Sequence, residues 1–172
     1  VDMPDLTVTG NPYEPVDDIL GPDLIEISIS TTSAALGETV TMTVKASDES
    51  GISSVQAIWI YPPGLENTGA QPFVIYCSPT PESTVGGITT CTGSATVTSN
   101  VYSGTYQMSE IELTSTEPTD YPGPWSTRYW GPGTQDSFAP AGTIAGHGRA
   151  GSYGVWEYMG SHSFDLPDLT VE

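Results

Sequence analysis

Gly146-His147-Gly148-Arg149-Ala150-Gly151 matches the G-x-G-x-x-G pattern that cradles a dinucleotide pyrophosphate, and Asp165 stands near where a ribose-binding acid is expected. That chemistry needs a helix N-terminus behind the last glycine. The run that follows, Ser152-Tyr153-Gly154-Val155-Trp156, is strand-like, so a nucleotide cofactor is not expected. His147 and His162 are the only histidines, and neither has a second His or a Cys at ligand spacing, which argues against a zinc site or a serine triad. Glu110 and Glu112 share the outward face of one strand. As paired carboxylates they would need an apolar pocket to separate their acidities, and none is evident, so a solvated strand face is expected. Catalysis is therefore not expected. Trp125, Tyr129, Trp130, Trp156 and Tyr158 carry a different chemistry, since exposed aromatic rings stack on sugars. They define a carbohydrate-binding alternative; the competing expectation is that the same rings clamp their segment to the fold or pack against a neighbouring subunit.

Two cysteines, Cys77 and Cys91, flank a turn containing Pro79, Pro81, Gly86 and Gly87. They are expected to meet across a hairpin and close a disulfide in an oxidising compartment, the alternative being two separately buried thiols. The charge is lopsided: three basic residues, Lys45, Arg128 and Arg149, stand against 21 acidic ones, for a formal net charge of -18. Such a field repels phosphate backbones and anionic lipid heads, so neither nucleic acid nor a membrane surface is an expected partner. It favours cations. Asp17, Asp18, Asp23 and Asp48 are the candidate calcium ligands, weighed against a solvated acidic linker.

The elements that must position these residues are strands. The chain has 172 residues, about one domain, and its 37% hydrophobic residues fall in short runs, so no membrane insertion is expected. The 19 glycines and 15 prolines interrupt segments that alternate apolar and polar residues, the pattern of a sandwich or barrel. Residues 24–31 place Ile25, Ile27 and Ile29 on one face; residues 38–46 place Val40, Met42, Val44 and Ala46 inward, and the two segments are expected to pair antiparallel. Residues 52–61 are apolar on both faces, which predicts a central strand with Trp59 in the core. Further strands are expected over 72–77, 89–98 and 104–114, the last with a β-bulge near Ser109 to reconcile Met108 with Ile111. Little or no helix is expected. Residues 115–154 lose the alternation and read as a long aromatic, Gly- and Pro-rich insertion, after which strands return at 153–158 and 162–171.

Asp2-Met3-Pro4-Asp5-Leu6-Thr7-Val8 recurs as Asp165-Leu166-Pro167-Asp168-Leu169-Thr170-Val171, 163 residues later, with one change in seven. A period of one domain length predicts tandem modules. The Pro-led Leu-Thr-Val run is expected to add as an edge strand, within one polypeptide or across separate subunits, and either way the contact is head to tail and non-closing. Pro4, Asp5, Leu6, Thr7, Val8, Pro167, Asp168, Leu169, Thr170 and Val171 are thus the expected assembly residues, with copies of the same chain as partner. Residues 1–23 form the terminal strand and inter-module linker, and residues 24–172 the module.

One stretch resembles a known family. Gly37-Glu38-Thr39-Val40-Thr41-Met42-Thr43-Val44-Lys45-Ala46-Ser47-Asp48-Glu49-Ser50-Gly51-Ile52 is similar to the strand pair G-(D/E)-T-V-T-(V/M)-T-V-x-A-x-D-x-S-G-(I/V) of Ig-like tandem repeats in large bacterial surface and secreted proteins. Tyr61-Pro62-Pro63-Gly64, Ser103-Gly104-Thr105-Tyr106 and the closing Phe164-x-x-Pro167-Asp168 fit later elements of the same pattern. The resemblance implies an antiparallel Ig-like β-sandwich at the cell surface with a stalk, adhesin or fibre role, often calcium-stiffened. Ile111-Glu112-Leu113 departs from it by running into Thr114-Ser115-Thr116-Glu117-Pro118 in place of the family's acidic Gly-Asn turn.

Overall fold

The computed structural model describes residues 21–116, 126–131, 145–150, 156–164 and 166–172. Within them run β1 (Asp23–Ile29), β2 (Ser33–Ala34), β3 (Thr39–Ser47), β4 (Ile52–Ile60), β5 (Phe73–Cys77), a 3-10 turn (Pro81–Ser83), β6 (Thr84–Val85) and β7 (Ile88–Thr96). Then come β8 (Gly104–Ser115), β9 (Ser126–Trp130), β10 (Gly146–Ala150), β11 (Trp156–Gly160) and β12 (Leu169–Val171). The fold is all-β, with no α-helix among the described residues.

Two sheets enclose one core. The first has the order β1-β3-β7-β6; the second joins β5, β4 and β8 and continues from β8 to β12 and β2. This is the ABED-against-CFG arrangement of an Ig-like sandwich, with β2 as the short strand that crosses from the first sheet's connection to the second. Tyr106, near the start of β8, accepts a hydrogen bond on its hydroxyl from Tyr102 N at 2.9 Å, the tyrosine corner of such folds. Val40, Met42, Val44 and Ala46 of β3 face Val55, Ala57 and Trp59 of β4 and Ile111 and Leu113 of β8 in one buried cluster. Strand β4 lies between β5 and β8, so both its edges are paired, while Val55, Ala57 and Trp59 are buried on one face and Ile58 and Ile60 are half-covered on the other.

The predicted bulge is present: the β4–β8 register shifts between Ile58 and Trp59, which face Glu110 and Met108, leaving Ser109 as the extra residue. A second bulge, between Leu24 and Glu26, overturns one expectation. It turns Ile25 outward to 43% exposure and puts Leu24 in the core in its place. The pairing of β1 with β3 is antiparallel as expected.

Cys77 and Cys91 form a disulfide with Cα atoms 6.0 Å apart, but not across a hairpin. Cys77 ends β5 in one sheet and Cys91 lies on β7 in the other, because the chain changes sheets through the 3-10 turn and the Gly86-Gly87 turn belongs to the β6–β7 hairpin. The bond closes the sandwich along one side. The sheets meet so closely there that a Cβ added at Gly93 would stand 2.2 Å from the Tyr76 carbonyl oxygen. Because backbone rather than a flexible side chain blocks the space, Gly93→Ala is expected to cost about 1–3 kcal/mol or more in a urea melt. An unchanged midpoint would mean that the two edges can part freely.

Residues 115–154 were expected to lack regular structure, yet they contribute β9 and β10, which with β11 form a meander hydrogen-bonded to the C-terminal half of β8. Residues 146–150 of the G-x-G-x-x-G run therefore form a strand between β9 and β11. A Cβ at Gly146 would stand 2.5 Å from the Trp130 ring and 3.0 Å from that of Tyr158, so glycine there lets two aromatics close over a strand.

Candidate functional site

The free edge of β8 is shared. Its C-terminal half, Glu110 to Thr114, pairs with β9; its N-terminal end, Gly104 to Tyr106, pairs with β12, the second copy of the repeated phrase. Strand β12 is not an edge strand as expected. It lies between β8, antiparallel, and β2, parallel, and so occupies a slot in the sheet.

Residues 167–171 each have a contact. Leu169 and Val171 point into the core at 0% and 3% exposure. Thr170, opposite Thr105, faces outward, and its N–H donates to Thr32 O at 2.8 Å. Pro167 presents its carbonyl to the indole N–H of buried Trp59 at 2.8 Å, and as a proline it has no N–H of its own to satisfy. Asp168 Oδ1 accepts from Met108 N at 3.4 Å, while Gly131 N donates to Ser109 O at 3.0 Å. These two contacts seal the gap on β8 between the stretches taken by β12 and β9. Beyond the phrase, Glu172 N donates to Ala34 O at 3.1 Å and Glu172 Oε1 accepts from the Ser33 hydroxyl at 2.7 Å. Pro4, Asp5, Leu6, Thr7 and Val8, the first copy, lie outside the described residues.

The meander secures the opposite end of the module. Tyr129 accepts on its hydroxyl from Leu24 N at 3.0 Å, Arg149 pairs with Asp23 at 2.6 Å, and Gly21 backs onto Ser126 and Thr127. These contacts tie the point where the chain enters the sandwich to the inserted strands.

The sugar-binding expectation meets a correction. Tyr129 and Trp130 are buried, at 3% and 0% exposure, and offer no ring face to a glycan. Trp156 is half-buried beneath the Arg128 guanidinium, 4.4 Å from its ring centroid, and Trp125 lies outside the described residues. The aromatics instead fasten the insertion. Glu110 and Glu112 are also not a solvated face: they flank Arg128 at 3.5 Å and 2.9 Å and are themselves half-buried. With Lys45 on Glu26 at 2.7 Å, all three basic residues are ion-paired.

Of the candidate calcium ligands, Asp23 is the partner of Arg149, and Asp48 Oδ1 accepts from Ser50 N and Oγ, shaping the β3–β4 turn. Asp17 and Asp18 lie outside the described residues, among which no three His, Cys, Asp or Glu side chains converge as a metal site.

His147 stacks on Tyr129 with centroids 5.3 Å apart, and His162 meets the same ring edge-on. Phe164 N donates to His162 Nδ1 at 3.2 Å, which makes Nδ1 the acceptor and Nε2–H the donor to Trp130 O at 2.9 Å. Burial holds both imidazoles below the ordinary histidine pKa; for His147 the Arg149 charge adds to it, and for His162 the Trp130 bond opposes it in part. A group with a depressed folded pKa binds more protons when unfolded. Stability is therefore full above about pH 6.5 and falls as the pH drops from there toward the folded values. The thermal midpoint is expected to decline between pH 7 and 5, and His162→Gln to flatten that decline. An equal decline in the variant would remove His162 from the account.

No protein-family model matches the chain, and no curated protein matches it. Among solved structures it is similar to a type II cohesin domain from the cellulosome of Acetivibrio cellulolyticus, at 11% identity and a TM-score of 0.28 over 87% of this chain and 95% of that one. At that score the likeness carries no weight for fold or function, and the Ig-like assignment rests on the strand order.

Proposed function

We propose that the chain is a structural module of an extracellular filament or tandem-repeat surface protein, with copies set head to tail through the PDLTV segments, and that its work is mechanical. The observation that carries this reading is where the chain enters and leaves. Asp23 pairs with Ser47 at the end of β3, whereas Val171 pairs with Gly104, beside the start of β8 and at the opposite end of the sandwich. Nine residues of β3 separate the two ends by about 30 Å. A chain that enters one end and leaves the other extends an array rather than folding it back. The inter-sheet disulfide supports an oxidising exterior.

Electron microscopy of the native assembly tests this: filaments or stalks with an axial repeat of one module are expected. Compact monomers without end contacts would overturn it. Calcium enters the same reading through the acidic linker, residues 10–23, so EDTA is expected to lower the thermal midpoint of a two-module protein. An unshifted midpoint removes the ion.

A further inference from the structure

We propose that the slot between β8 and β2 is a strand-accepting site for residues 4–8 of a second copy of this chain, and that residues 167–171 act as its exchangeable cap. The inference rests on the head-to-tail reading and names its contact. The slot recognises a carbonyl at the proline, a carboxylate at the next position, and two inward apolar residues two apart: Trp59 Nε1, Met108 N and the core beside Tyr106 supply the complements. Pro4, Asp5, Leu6 and Val8 carry the same four features at the same spacing. The single difference, Met3 for Leu166, falls on a half-buried side chain, where methionine and leucine exchange at little cost.

The described residues hold one slot that fits the phrase. When residues 167–171 fill the slot the module is closed. When residues 4–8 of a neighbour fill it, two copies are joined end to end by backbone hydrogen bonds, with the same geometry that a continuous polypeptide would give. Exchange is possible because β12 is short, three residues held by β8 on one side and by only two residues of β2 on the other. Outside the slot, Leu166 packs against the core, and Glu172 contacts Ala34 and Ser33.

The test expels the cap in the full chain with Leu169→Asp and Val171→Asp, and adds Thr7→Cys and Thr105→Cys, since Thr170 faces Thr105 and Thr7 is its counterpart. Under oxidation, a ladder of covalent multimers is expected on a non-reducing gel, and Leu6→Asp with Val8→Asp should abolish it. A folded monomer whose new bond is intramolecular overturns the second copy as partner. If the uncapped chain does not fold, a synthetic peptide of residues 2–9 is added in trans. Recovery of a cooperative melt supports the site, and no recovery overturns it, whatever a peptide of residues 165–172 does. Native filaments in which every module keeps its own residues 167–171 would sink the exchange while leaving the head-to-tail reading standing. Cross-linked multimers of the variant without any native end-to-end assembly would do the reverse.

Discussion

Replacing Trp59 with alanine is expected to destabilise the module by about 3–5 kcal/mol, the cost of removing a fully buried large aromatic. Trp59 is 0% exposed, sits on the central strand β4, and packs edge-on against Phe73 with centroids 5.9 Å apart. Its indole N–H is also the only group described as binding the Pro167 carbonyl, so the loss should be felt in β12 as well as in the core. Urea denaturation gives the magnitude, and limited proteolysis gives the place: cleavage within residues 160–172 should accelerate before the rest of the chain is attacked. Trp59→Phe separates the two roles. It keeps most of the ring and leaves the carbonyl unpaired, for an expected loss of about 1–3 kcal/mol. A phenylalanine variant as stable and as protease-resistant as the parent would show that the Trp59–Pro167 bond does not hold the strand.

Removing the disulfide is the second large effect. Cys77→Ala with Cys91→Ala is expected to cost about 3 kcal/mol, the chain-entropy value for closing a loop of this size. The native bond spans a sequence separation of 14 residues and joins the two sheets beside the tight contact of Gly93 with Tyr76. Reduction of the native protein with dithiothreitol should give the same midpoint shift in guanidinium as the double variant. Agreement between the two would locate the effect in the covalent link. A double-alanine variant with the parent's midpoint would mean that close packing at Gly93 holds this side of the sandwich unaided.

Much of this architecture is legible in the order of residues. Alternation in β3 needs only a pleated strand with one wet face, β4 is marked as central by apolar residues on both faces, and β8 alternates with a parity break at Ser109 that predicts its own bulge. Glycine and proline mark the turns. The paired cysteines and the repeated phrase are read by inspection. Where the reading fails, burial comes from partners distant in sequence. Nothing local marks β9 and β10 as strands, since their cover is supplied by Trp130 and Tyr158 closing over Gly146 and by Arg128 bridging Glu110, Glu112 and Trp156. The same remoteness hid the burial of Tyr129, whose ring is enclosed by His147, His162 and Phe164 and whose hydroxyl meets β1.

By itself the sequence determined an all-β chain with a central strand at 52–61, a bulge near Ser109 and a phrase written twice, because strand period, β-bulge parity and repetition are properties of neighbours along the chain. Only the tertiary structure decided that the disulfide joins two sheets, that the insertion extends one of them, and that the second phrase lies inside the sheet rather than at its edge. Those outcomes depend on which strands share an edge of β8, and a hydrogen-bond ladder carries no mark in the local sequence of whom it will pair with.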